Sequence, residues 1–302
     1  MSWIFYTIAA ATLQTFRNLE QKALSKKLDS LTVSWSRFIL PLPLAIAVSF
    51  YTAQSINHQF IYYCLITAIA QVGGNICLLQ TFKSKNFSIG IAFYKTEVLQ
   101  TLILGLLFFN ASISPSGIAA ILVTTAGVVL MSGLVFNGGI KEFLRSLKNK
   151  AAFYGLLCGL CFSISSFNLK FAAEELFARG YMGMQAPLIV LMWVICFQNI
   201  LFISIKLYQN RLIQDLKILS SSENKFAFLR TSILSFAGSI CWFTAFAFGG
   251  VIYIKAIGQL ELVLALIASH FILKEAPNRI EFAGVTLTAA GILWLILKEI
   301  MV

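Results

Sequence analysis

Residues 70–131 of this chain align without a gap on a stretch of its second half, at about a dozen matching positions. A shift of 164 positions, the separation of Glu97 from Glu261, brings Gly74-Asn75-Ile76-Cys77 onto Gly238-Ser239-Ile240-Cys241 and Phe82 onto Phe246. The same shift carries Ala92 onto Ala256, Leu102-Ile103 onto Leu266-Ile267, Ala119 onto Ala283 and Ala126-Gly127 onto Ala290-Gly291. Five apolar runs lie on each side of a basic segment, NGGIKEFLRSLKNK, at 137–150. They fall at about 2–22, 31–53, 59–82, 87–109 and 115–136, then 151–171, 186–208, 226–248, 250–273 and 280–298. Apolar runs of this length are read as membrane-crossing helices. Because five is odd, the second copy enters the bilayer from the opposite side. The expected fold is all-α and integral to the membrane: ten transmembrane helices as a five-plus-five inverted repeat about a pseudo-two-fold axis in the membrane plane. The first repeat spans 1–136, the linker 137–150 and the second repeat 151–302.

Composition agrees. The chain is 302 residues, 59% hydrophobic and 12% charged, more apolar surface than one soluble core of this size hides. The leader MSWIFYTIAA lacks the basic start of a secretory signal, so it is read as a retained first span. The net charge of +11 is not a nucleic-acid signature, because Lys and Arg gather in alternate loops. Those after helices 1, 3, 5, 7 and 9 hold Lys26, Lys27, Lys83, Lys85, Lys141, Arg145, Lys148, Lys150, Arg211, Lys217, Lys225, Lys274 and Arg279, against Arg179 and Lys298 opposite. By the positive-inside rule those loops face the cytoplasm and both termini lie outside. The six cysteines all fall inside expected spans, and Cys158-Leu-Gly-Cys161 has no second ligand pair, so buried thiols are expected rather than zinc or disulfides. His58 and His270 lack metal-ligating neighbours, and no phosphate-binding GxxxxGK[ST] loop occurs. Neither a metal nor a cofactor is expected. The segment 209–225 is polar and reads as a surface helix or turn.

A charge at the bilayer centre costs roughly 2.5–3.5 kcal/mol on insertion scales and persists mainly beside a cavity or a partner. Glu97 stands about ten residues from either end of its helix, or about 15 Å, which is the midplane. Gly90, Tyr94, Glu97, Thr101 and Gly105 form one stripe; Gly258, Glu261, Ala265 and Ser269 form its counterpart. The two glutamates read as cavity carboxylates for a cationic substrate group or a coupling proton, since burial favours the neutral form of a carboxyl; the alternative is structural ion pairing between helices. Lys95, about 200° of helix from Glu97, cannot share its face and points either to a neighbouring helix or to an anionic substrate group. Lys255, near one end of its span, is expected to snorkel to the surface. Amides and hydroxyls form further stripes: Gln14, Arg17, Asn18 and Gln21 in helix 1, Gln71 and Asn75 in helix 3, Ser165 and Asn168 in helix 6, Ser235, Ser239 and Trp242 in helix 8. The expected substrate-binding set is Glu97, Glu261, Tyr94, Lys95, Gln71, Asn75, Asn18, Asn168 and Trp242. Trp3, Trp35 and Trp294 sit near span ends and fit interfacial anchoring. Gly117, Gly127, Gly284 and Gly291 fit close helix packing.

These features resemble a known family. Ten spans as five plus five, with a glutamate-bearing helix 9 followed by FILKEAPNRIEFAGVTLTAAGILWLIL, are similar to the EamA-like permeases of the drug/metabolite transporter superfamily. Glu275, Gly284 and Gly291 occupy the places of that family's helix-9 terminal glutamate and final glycine-rich helix; Ala111 stands where the first repeat would match Glu275. The resemblance implies a secondary transporter of a small polar or amphipathic metabolite, such as an amino acid, working by alternating access in a cell membrane, a bacterial inner membrane being the expected one. It also implies cytoplasmic termini, against the charge count. A monomer is expected. The alternatives are a lipid flippase or a carrier of nucleotide-derived metabolites, with Arg17, Lys95 and Lys170 receiving carboxylate or phosphate. An integral-membrane lipid-modifying enzyme would need a dense acidic motif or a His/Asp pair, and the sequence has neither.

Overall fold

The computed structural model describes residues 2–25, 28–83, 90, 93–111, 113–131, 147–268 and 279–301, and side chains at 22–23, 82, 265, 268 and 299–301 are outside that description. Every regular element among the described residues is helical. The helices are α1 (Ser2–Leu24), α2 (Ser30–Ile39), α3 (Leu42–Thr52), α4 (His58–Lys83), α5 (Glu97–Phe108), α6 (Pro115–Met131), α7 (Lys150–Ala178), α8 (Gln185–Tyr208), α9 (Leu212–Leu219), α10 (Lys225–Phe248), α11 (Val251–Gly258), α12 (Leu260–Ala268) and α13 (Arg279–Met301). Five of them (α4, α7, α8, α10 and α13) are long and apolar enough to cross a membrane, six if the bent pair α2–α3 forms one span. The short polar helix expected near 209–225 is α9. The inner part of the basic linker (137–146), the start of helix 4 (87–89), Ser269, His270 and Glu275 lie outside the described residues.

Local chemistry explains the breaks. The second expected span is two helices at 59° to one another. Pro41 has no N–H to offer the Arg37 carbonyl one turn back, and its ring crowds that carbonyl. The fourth and ninth spans, expected as continuous, are also interrupted. Helical residues 93–95 give way to a turn at Thr96 before α5, and Gln259 separates α11 from α12. At both breaks the backbone tightens: Thr96 N–H bonds to the Phe93 carbonyl and Gln259 N–H to the Ala256 carbonyl, each at 3.2 Å. In each case the glutamate lies in the first turn after the break.

The closest helix pairs are α4 with α7, α1 with α10, and α6 with α13. The shift of 164 carries α4 onto α10, and α1 and α7 are each the first helix of their half, so by order within the halves the first two are one pairing exchanged. The third carries the same exchange to the atomic level. A Cβ at Gly127 would run into Thr288 and the Gly284 carbonyl, and one at Gly291 into Thr124 and the Ala120 carbonyl. Those partners also correspond under the shift of 164.

Fully buried Phe60, Phe202, Leu169, Leu176, Ile195 and Ile254 fill the interior, while Phe5, Phe50, Leu107, Phe108 and Phe282 point outward. A rind this apolar fits a lipid solvent rather than water. Trp3 and Trp35 are not interfacial anchors. Trp35 is buried and its indole donates to Asn199 Oδ1 at 3.0 Å, and Trp3 packs on Gly249. Trp294 is half-exposed. At the end that carries the basic loops, fully buried Lys206 pairs with Asp215 at 2.6 Å and Asp29 at 3.2 Å and donates to Thr32 Oγ1 at 2.8 Å. That cluster ties the α1–α2 turn to the α8–α9 corner. Asp29 is the N-cap of α2, accepting from Thr32. Burial by itself would raise the Asp29 carboxyl; the Thr32 hydrogen bonds and the Lys206 charge outweigh it and hold it below the ordinary aspartate range.

Candidate functional site

The breaks at Thr96 and Gln259 bring both glutamates to one cavity of about 100 Å³, room for several water molecules. Its walls come from both halves: Gln14 and Arg17 of α1, Arg37 of α2, Gln71 and Asn75 of α4, Tyr94, Lys95 and Glu97 around the first break, Ser165 and Ser166 of α7, Trp242 and Phe246 of α10, and Lys255, Gln259 and Glu261 around the second. A carboxylate in a helix's first turn is favoured by the partial positive charge of the unsatisfied N–H groups there.

Each glutamate is held by a lysine from the other half. Lys95 Nζ lies 3.2 Å from Glu261 Oε2, and Lys255 Nζ bonds to Glu97 Oε1. Glu261 also accepts from Gln14 Nε2 at 2.8 Å and Asn18 Nδ2 at 2.6 Å. Trp242 Nε1 donates to Gln14 Oε1 at 3.0 Å, which turns the Gln14 amide so that its NH₂ faces the carboxylate. Glu97 takes its support through the backbone. Its carbonyl accepts from Thr101 Oγ1 at 2.8 Å and Ser163 Oγ at 3.3 Å, and those two hydroxyls are 2.8 Å apart. Aromatic rings shield both cations: Lys95 sits 4.8 Å from the Tyr94 ring centre, and Lys255 5.3 Å from Phe246 and 5.8 Å from Phe162. Small residues let these groups converge. A side chain at Gly258 would strike the Trp242 ring, and one at Gly155 would strike the Gly90 carbonyl and the Tyr94 N–H.

The expected residues divide as follows. Glu97, Glu261, Tyr94, Lys95, Gln71, Asn75 and Trp242 line the cavity. Asn18 stands behind it, bonded to Glu261. Asn168 is not among the cavity residues; its amide donates to the Ile164 carbonyl of its own helix at 2.9 Å. Lys255 does not snorkel outward, because Glu97 offers it a buried counter-ion and the break at Gln259 turns that stretch inward. Among the described residues no three His, Cys, Asp or Glu side chains are grouped as metal ligands.

Arg37 was legible and passed over. It is a charged residue within an expected span (31–53), which by itself marks a functional candidate. It is 7% exposed, donates through Nη1 to Asn75 Oδ1, and lies 5.0 Å from the Phe38 ring centre. Asn75 is aimed at it by its own Nδ2, bonded to the Gln71 carbonyl at 2.7 Å, while Gln198 Nε2 bonds to Gln71 Oε1 at 2.8 Å. Arg17 is equally buried and bonds to Asn18 Oδ1 at 2.9 and 3.3 Å.

Comparison with known proteins follows this geometry. No curated protein matches the sequence. A solved crystal structure of a protein 14% identical to this one matches over 98% of both chains with a TM-score of 0.68; at that identity it speaks to the fold alone. The model of the EamA-like transporter family matches twice, over residues 1–133 and 149–297. Members of that family are membrane transporters of small molecules rather than enzymes, and the two matches give a two-repeat architecture. The chain belongs to the EamA-like transporter family.

Proposed function

We propose that this protein is a secondary transporter that moves a small polar metabolite, with amino acids and their relatives as the first class to test, by alternating access between two inverted five-helix repeats. The repeats are 1–136 and 151–302, joined by 137–150, and together they supply ten crossings. One observation carries the reading: a buried, charged cavity whose walls are shared by both halves and whose ion pairs all cross between them. The exchanged seam of Gly127 with Thr288 and Gly291 with Thr124 supports the inverted relation. Substrate would meet Glu97, Glu261, Tyr94, Lys95, Gln71, Asn75 and Trp242, with Asn18 positioning Glu261. A proton is the candidate coupling ion, and the working unit is a monomer in a bacterial inner membrane with the basic loops cytoplasmic.

The test is counterflow in proteoliposomes, with purified protein and a panel of radiolabelled amino acids, organic acids and phosphate esters. At least one compound should exchange faster than in empty vesicles, and Trp242→Ala should slow it. Vesicles that exchange nothing in the panel, with folded protein inserted, would count against the reading. A cysteine placed at Lys148 and labelled from one side reports which face the basic loops occupy.

A further inference from the structure

Among the described residues, the cavity wall carries more positive than negative side chains. Arg17, Arg37, Lys95 and Lys255 face it with only Glu97 and Glu261 opposite, and each glutamate already has a lysine. The other described acids are engaged elsewhere or lie away from the cavity: Glu20 with Arg230, Asp29 and Asp215 with Lys206, Glu174 with Lys170, Glu175 with Asn57. Glu223 and Glu281 have contacts of their own and do not line it. Among the described residues neither guanidinium hydrogen-bonds a carboxylate: Arg17 bonds Asn18 and feels the Glu261 charge only through space, and Arg37 bonds the neutral Asn75. Arg37 Nε is buried without a hydrogen-bond partner, and Oε1 of Gln259, another cavity residue, is in the same condition.

A buried cation with no counter-ion is among the most costly groups a fold can carry. A planar guanidinium fork matches an oxyanion by two parallel hydrogen bonds. Resting on the transporter reading above, we infer that Arg17 and Arg37 form the receiving pole for an oxyanion on the substrate, so that the transported class is a small anion bearing a carboxylate or phosphate group. This departs from the sequence-based expectation that Glu97 and Glu261 bind a cationic group, since both are occupied by lysines. The aromatic wall of Trp242, Phe246 and Phe162 would take the rest of the molecule, and Gln259 would accept a hydrogen bond from it.

Thermal unfolding of the purified full chain tests the pole without presupposing transport. Inorganic phosphate, succinate and neutral succinamide are titrated against wild type, Arg37→Gln and Arg37→Lys. The expected result is a rise in Tm with phosphate or succinate and none with succinamide. Apparent affinity should fall at least tenfold in Arg37→Gln and less in Arg37→Lys, which keeps the charge but loses the fork. Stabilisation by phosphate alone assigns phosphate esters; by succinate alone, organic acids. Ligand-free Arg37→Gln should melt no lower than wild type, because an uncompensated charge has been removed. The inference is overturned if no anion shifts the Tm, if succinamide does so equally, or if the anion shift survives Arg37→Gln. A large loss of ligand-free stability in Arg37→Gln that Arg37→Lys repairs without anion binding overturns it too. Anions that bind but never exchange in vesicles would sink the transport reading and leave the pole standing. Neutral compounds that exchange in an Arg37→Gln protein would do the reverse.

Discussion

The pair Lys255–Glu97 offers the sharpest test of how the two halves are joined. Its side chains are 13% and 6% exposed, and Lys255 is the sole hydrogen-bond partner of the Glu97 carboxylate among the described residues. Removing one member of such a pair strands the other charge in a poorly solvated site, for about 3–5 kcal/mol. Replacing both with apolar or neutral groups of similar volume is close to neutral. Glu97→Gln and Lys255→Met should therefore each destabilise by roughly that amount, while the double variant returns to near the wild-type value. For a chain of this length 1 kcal/mol moves a midpoint by about 2 °C, so the singles should melt roughly 6–10 °C lower. The assay is thermal unfolding in one detergent for all four proteins. The companion pair provides the control. Lys95→Met leaves Glu261 with Gln14 and Asn18 still donating at 2.8 and 2.6 Å, so its loss should be visibly smaller than that of Lys255→Met. Additive singles, or equal losses at the two lysines, would refute the reasoning.

Further outcomes follow from the packing. Gly127→Ala and Gly291→Ala each push a methyl into the α6–α13 seam against a threonine and a carbonyl, so each should cost about 1–3 kcal/mol, and by similar amounts; a large difference in melting temperature between them would contradict the exchanged seam. Asp29→Asn keeps an oxygen to cap α2 but loses the negative charge 3.2 Å from Lys206 Nζ, so it should be less stable than wild type at neutral pH. Because the folded carboxyl is held low, that advantage is present above the ordinary aspartate range and disappears as pH falls through the folded value, so the two melting curves should converge in acid and stay apart at neutral pH.

The repeat register, the two buried glutamates and most of the amide stripes were legible because they depend on position along the chain. Helical periodicity says which residues share a face, and the shift of 164 says which faces correspond. What it withholds is the rotation of each helix against its neighbours. Asn168 shares a stripe with Ser165, yet only Ser165 reaches the cavity, because α7 turns Asn168 to a carbonyl of its own helix. Lys255 looked peripheral by its distance from the span end; its counter-ion is Glu97, far away in sequence and brought near only by the packing of α11 on α5. Arg37 is held by Asn75, far away in sequence, and a proline at 41 marks the bend after α2 but not which neighbours α2 meets. The break at Thr96 has no proline or glycine beside it, so propensity gave no sign of it; the one at Gln259 is preceded by Gly258, which by itself marks a weak point but not a break.

The ion pairs do not obey the repeat as the backbone does, and this bears on the proposed transport cycle. In the register, Lys95 corresponds to Gln259 and Lys255 to Ile91. If the second conformation is reached by the halves exchanging shapes, as inverted repeats do, Glu97 would face Gln259 where Glu261 now faces Lys95. The exchanged state would then have weaker neutralisation of its carboxylates, and an equilibrium between two states shifts only by what differs between them. On the proposed alternating-access cycle, the present conformation would thus be favoured until something else compensates the glutamates, which a proton would do and a bound anion would not. Gln259→Lys would restore the missing partner and should move the population toward the exchanged state. A cysteine at Ser166, in the cavity wall, would report it as a change in the side from which an impermeant thiol reagent reacts. Labelling identical with and without Gln259→Lys would mean that these lysines hold the halves together without biasing which way the cavity faces.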